Sequence, residues 1–107
     1  ARFALINRYH VGLLAEFATK LSELPDGDGS LLDNALVMYG SGMSDGNSHN
    51  HDPLPIALLG HAGGTLEGNR HVVFPEKTNM SNLLLSLLDK LGTPQETFGD
   101  STGPLTI

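Results

Sequence analysis

Two short apolar runs, Ala35-Leu36-Val37-Met38-Tyr39 and Leu54 to Leu59, bracket a polar, glycine-rich loop from Ser41 to Pro53. Short apolar runs bounded by turn residues read as buried strands, the type found inside parallel sheets. Gly40-Ser41-Gly42 ends the first run and Gly60 ends the second. The loop is too short to carry a crossover helix, which takes about ten or more residues of its own. The second run therefore either pairs elsewhere or lies antiparallel to the first, and the residues do not choose between these.

Helical periodicity frames this strand-loop-strand unit. Phe3, Ile6, His10, Leu13, Leu14, Phe17, Leu21 and Leu24 recur at three- and four-residue steps, with Arg8, Glu16, Lys20 and Glu23 between them. The pattern predicts an amphipathic helix over 1–24, stopped at Pro25, which has no backbone N–H to donate. Asp26-Gly27-Asp28-Gly29 then tolerates left-handed turns, and Ser30 is placed to cap a short turn through Leu31, Leu32 and Asp33. Further on, 61–77 reads as a glycine-rich loop followed by a short strand, His71-Val72-Val73-Phe74, ended by Pro75. A second helix is expected over 78–92. Its apolar stripe is Met80, Leu83, Leu84, Leu87, Leu88 and Leu91, widened by Leu85, and Gly92-Thr93-Pro94 supplies the stop. The tail from 93 to 107 has no periodicity. The whole reads as a single α/β segment of two main helices on a few short strands, part of a larger α/β domain.

Composition excludes several functional classes. The chain has 107 residues, room for one core at most. Six Lys and Arg stand against twelve Asp and Glu, a net charge of -6, and the basic residues are scattered. Nucleic acid is an unfavourable partner, since counterion release needs a concentrated positive surface. With no cysteine, thiolate catalysis, disulfides and cysteine-built metal clusters are excluded. No apolar run approaches the roughly 18 residues of a membrane span.

The densest chemistry lies in the loop itself, Ser41-Gly42-Met43-Ser44-Asp45-Gly46-Asn47-Ser48-His49-Asn50-His51-Asp52-Pro53. In open α/β sheets, ligand sites form in loops beyond the strand ends. Asp45, His49 and His51 are oxygen and nitrogen donors of the kind that zinc, manganese or iron accepts. The single residue between the histidines lets both rings face one side of an extended segment. Asp52 is a fourth donor, or the group that orients a ligating histidine. The competing reading is a solvated loop whose Asp, Asn, Ser and Gly satisfy their own backbone.

Other motifs carry less. Asp26-Gly27-Asp28-Gly29-Ser30 opens like a calcium loop, but Leu31 stands at the required glycine and Val37 at the required glutamate, so it reads as a turn. Gly40-Ser41-Gly42 has Asp45 where a dinucleotide fingerprint needs its third glycine. Ser41, Ser44 and Ser101 lie in no nucleophile elbow. His10 falls on the first helix's apolar stripe and reads as a core or interface residue, while His61 and His71 flank Gly63-Gly64 as secondary candidates.

Taken together, Gly27-Asp28-Gly29-Ser30-Leu31-Leu32-Asp33-Asn34, Tyr39-Gly40-Ser41-Gly42-Met43-Ser44-Asp45-Gly46, His51-Asp52-Pro53-Leu54-Pro55 and Phe98-Gly99-Asp100-Ser101-Thr102-Gly103-Pro104 resemble one family. It is the family of bacterial exported proteins named for an HXXSHH motif, grouped with the alkaline phosphatase-like superfamily. The naming motif is not in this sequence, and the resemblance implies that it lies upstream, the chain matching roughly the last quarter of a longer protein. The implied fold is the C-terminal portion of a three-layer α/β sandwich. The resemblance also implies periplasmic or extracellular localisation and, as partner, the remainder of the polypeptide or a neighbouring subunit.

In that superfamily a strand near the C-terminus ends in an Asp-His metal pair and a later histidine completes a two-metal site. Ala35 to Tyr39 is similar to that strand and His51 to the later histidine, whereas Gly42-Met43 or Asp45-Gly46 stands where the pair belongs. Two expectations follow. One is a metal-dependent phosphatase- or sulfatase-like hydrolase whose nucleophile lies outside this chain, which alone would be inactive. The other is a non-catalytic binding or structural protein of the cell envelope on the same scaffold.

Overall fold

A computed structural model describes residues 2–107. The first periodic stretch forms helix α1, Arg2–Glu23, and ends just ahead of Pro25 as the missing donor dictates. A minimal antiparallel hairpin follows, β1 (Pro25–Asp26) against β2 (Gly29–Ser30), turned by Gly27 at φ 61°. Ser30 then caps α2, Leu31–Asn34: its hydroxyl accepts the Asp33 N–H, and the Asp33 carboxylate accepts the Ser30 N–H in return. Such a cap is worth about 1 kcal/mol, and it fixes where the chain enters the sheet.

Strand β3 (Val37–Gly40) pairs antiparallel with β4 (Ile56–Leu59), Val37 facing Leu59 and Gly40 facing Ile56. The choice left open by the sequence is thereby made. The expectation of fully buried strands is corrected, because Val37 and Tyr39 are half-buried while Met38 and Gly40 are exposed. That alternation belongs to a sheet with one covered face. Gly60 ends β4 at φ 91°, and a Cβ there would stand 2.3 Å from the Ala35 carbonyl oxygen and 2.7 Å from that of Leu32. The absence of a side chain lets the next residues fold back, with His61 N–H donating to Leu32 O and Ala62 N–H to Ala35 O. A 3-10 turn, Ala62–Gly64, follows.

No strand forms over 71–74. Val72 and Val73 have the β-branched chemistry of a strand, yet Val73 is 79% exposed and no neighbouring strand is there to pair with it. Local propensity without a partner ladder does not hold a strand. Helix α3, Met80–Lys90, is the true centre of packing. Leu83, Leu85 and Leu87 are buried along it, joined by Ala62 and Leu66 from the preceding loop.

The tail is ordered by α3's polar residues. Asn82 donates from Nδ2 to Thr102 Oγ1 (3.1 Å) and accepts the Thr102 N–H (2.8 Å). Ser86 accepts the Leu105 N–H (2.6 Å) and lies 2.9 Å from the Leu105 carbonyl oxygen; Ser81 donates to Asp100. All three of these helix residues are buried.

The result is a mixed α/β arrangement of two main helices and short antiparallel strands. Its core is thin. No described side chain is completely buried. The radius of gyration, 15.3 Å, exceeds the about 13 Å of a compact domain of this length. The apolar stripe of α1 is largely in solvent, with Phe3 at 69% and Phe17 at 49% exposure, and only Leu14, Ala18 and Leu21 are half-buried. No described helix is long and apolar enough to cross a membrane.

Candidate functional site: the loop from 41 to 53

The β3–β4 ladder delivers both ends of the loop to one place, and every residue from 41 to 53 is exposed. Its tip closes on itself. Ser44 N–H donates to Asn50 O (2.8 Å) and Asn50 N–H to Asp45 O (3.2 Å), an isolated antiparallel bridge that rings off Gly46 to His49. Inside the ring, Asp45 Oδ1 accepts the N–H of Asn47 at 2.8 Å and of Ser48 at 3.4 Å. The Asn47 N–H, then the Ser48 hydroxyl and N–H, hold the Asp45 carboxyl below the ordinary carboxylate range. This is an Asx-type turn, the local competition with the backbone that Asp and Asn are suited to.

The loop's base is fixed in the same manner. Ser41 Oγ accepts the Met43 N–H, Asn50 Oδ1 accepts the Asp52 N–H, and Asn50 Nδ2 donates to the Asp52 carbonyl. Asp52 Oδ2 accepts the N–H of Lys77 at 3.3 Å, tying the loop to the turn ahead of α3. His51 Nδ1 stands 2.6 Å from the Gly42 carbonyl oxygen. A carbonyl can only accept, so Nδ1 carries the proton in this contact and Nε2 takes no part in it. His49, next to the closing residue Asn50, takes a left-handed backbone at φ 54°.

The four residues singled out from the sequence thus share one loop but not one point. Among the described residues, no group of three or more His, Asp or Glu side chains could hold a metal ion. Asp45 turns a carboxylate oxygen into its own ring, Asp52 turns one towards Lys77, and His51 keeps one ring nitrogen free. Asp45, His49 and His51 do not form such a group in this structure.

Two other histidines resolve separately. His10 is exposed on α1 and meets the Tyr9 ring edge-on, centroids 5.8 Å apart, instead of entering a core. His61 lies 3.1 Å from Asp33 Oδ1 through Nδ1. Asp33 is also bonded by the Ser30 hydroxyl and N–H, and these contacts, with His61 adding less, lower its pKa. Sequence reasoning placed Asp33 only in a cap and missed this link, because 28 residues separate the partners. The polar residues binding the tail had a visible signal: Ser81, Asn82 and Ser86 interrupt an otherwise leucine-rich helix. No family profile, curated protein or solved structure matches this chain.

Proposed function

We propose that this chain is a binding element on an alkaline phosphatase-like scaffold of the bacterial envelope, and that the loop from 41 to 53 is its recognition surface for a hydroxyl-rich ligand such as a glycan. The observation that carries this reading is the direction of the loop's hydrogen bonds. Asp45, Asn50 and Asp52 are spent on loop and neighbouring backbone, which sets the loop's shape in advance of binding and lowers the ordering cost when a ligand arrives. Ser44, Asn47, His49 and the Nε2 edge of His51 are left towards solvent. These are hydrogen-bond donors and acceptors, the groups that match sugar hydroxyls. Periplasmic or extracellular placement comes from the resemblance. The apolar stripe left open on α1 supports further protein contact, with the remainder of the polypeptide or a neighbouring subunit.

The test is co-sedimentation with isolated envelope polysaccharide. Binding that is lost in the triple variant Asn47→Ala, His49→Ala, His51→Ala, with unchanged circular dichroism, is the expected result. No binding, or equal binding by the variant, would refute the recognition reading.

One observation favours the hydrolase-like alternative. A histidine whose Nδ1–H is held by a backbone carbonyl while Nε2 stays free is oriented as metal-ligating histidines are, and His51 has that arrangement. On this second reading zinc, manganese or iron bound through His51 would supply charge stabilisation for a phosphate or sulfate ester, with the remaining donors and the nucleophile coming from elsewhere. Metal content in wild type and in His51→Ala separates the two readings.

A further inference from the structure

Helix α1 has two sides that the fold treats differently. Leu14, Ala18 and Leu21, half-buried, mark the side packed on α2 and β2. With about 100° between successive residues, the opposite side is Leu5, Arg8, Tyr9, Gly12, Leu13 and Glu16, which line one open groove along the helix. Leu5 and Tyr9 are each 65% exposed. Gly12 lies mid-helix in open space, with nothing within 4 Å of where a Cβ would be. Glycine there costs about 1 kcal/mol of helix stability relative to alanine, and no contact within the chain requires it.

We propose that this side of α1 pairs with the same side of a second copy, antiparallel, with the two helices crossing at Gly12. The occupant and its direction follow from how the residues are distributed about that glycine. Antiparallel pairing sets residues equally spaced before and after Gly12 against each other. Arg8 then meets Glu16 of the second copy, twice by symmetry. Leu5 comes over Thr19, so a large side chain from the first half of each helix meets a small one from the second. Parallel pairing would oppose Arg8 to Arg8 and Tyr9 to Tyr9, leaving charge unpaired and bulk against bulk. Gly12 facing Gly12 lets the backbones approach closely at the crossing. Glu16 already bonds Lys20 of its own helix at 2.8 Å, which holds the carboxylate on the rim where Arg8 of the second copy arrives. A two-fold axis through Gly12 closes the assembly as a dimer. The pairing does not depend on what the 41–53 loop binds.

Sedimentation equilibrium on the chain and on charge-reversed variants tests this. A dimer is expected for the wild type. Arg8→Glu or Glu16→Arg should each raise the dissociation constant at least about tenfold, because like charges then face one another, and the double variant should restore the wild-type value. The chain lacks cysteine, so a second test is clean: Leu5→Cys combined with Thr19→Cys should form a disulfide-linked dimer, while Leu5→Cys alone should not. A monomeric wild type, a dimer indifferent to both charge reversals, or cross-linking by the single cysteine variant equal to that of the pair would overturn the proposal.

Discussion

Ser86→Ala probes the contact that orders the C-terminal tail. Ser86 is 5% exposed, accepts the Leu105 N–H at 2.6 Å, and has the Leu105 and Asn82 carbonyl oxygens at 2.9 and 3.1 Å for its single proton. Alanine removes no packing volume beyond one oxygen, but leaves both polar groups of Leu105 without that partner. An unsatisfied buried group costs about 1–3 kcal/mol. Leu105 is only half-buried, so water recovers part of this, and alanine regains up to about 0.5 kcal/mol as the better helix former. The net loss should be about 1–2 kcal/mol, which at a typical urea slope for a small domain moves the midpoint down by about 1 M. Hydrogen exchange locates the effect: the Leu105 amide should exchange faster in the variant, while Val37 to Gly40 amides in β3 should not. An unchanged midpoint together with unchanged Leu105 exchange would refute the idea that α3's polar residues hold the tail.

Three further outcomes follow from the geometry. Gly60→Ala should destabilise by more than about 1 kcal/mol in the same urea assay, since it combines a left-handed φ with a Cβ inside contact distance of two backbone carbonyls; a neutral result would mean that the close approach of β4's end to α2 is relaxed at no cost. The Asp33 pKa is lowered in the fold, by Ser30 first and His61 less, so its stabilisation is present above the ordinary carboxylate value of 3.8 and fades as pH falls through the lower folded value. Acid unfolding of Asp33→Asn should therefore lack that part of the pH dependence, and a curve parallel to wild type would contradict it. Asp45→Ala should speed exchange of the Asn47 and Ser48 amides without shifting the urea midpoint; protected amides there would show that the ring closes without the carboxylate.

What could be read from the residues alone was local. The ends of α1 and α3, the Ser30 cap and the two strands are set by Pro25, by a hydroxyl three residues before Asp33, and by short apolar runs, all signals that act within a few positions. Pairing direction was not readable, because Ala35 to Tyr39 carries the same apolar run in a parallel or an antiparallel sheet. The strand expected over 71–74 failed for the related reason that β-branched residues need a partner the fold does not bring. Exposure of Phe3 and Phe17 was unreadable too, since periodicity marks which side is apolar and not what covers it. At the site, the loop's position between two strands was legible. The inward turn of Asp45 depends on which amides the ring closure presents, and that is decided by backbone geometry.

Elemental mass spectrometry of the purified, exhaustively dialysed protein bears most directly on whether the 41–53 loop is a recognition surface or part of a metal centre. No stoichiometric metal is expected, in the wild type or in His51→Ala. Zinc, manganese or iron at one equivalent in the wild type, lost in His51→Ala, would contradict the recognition reading and put the hydrolase-like one in its place.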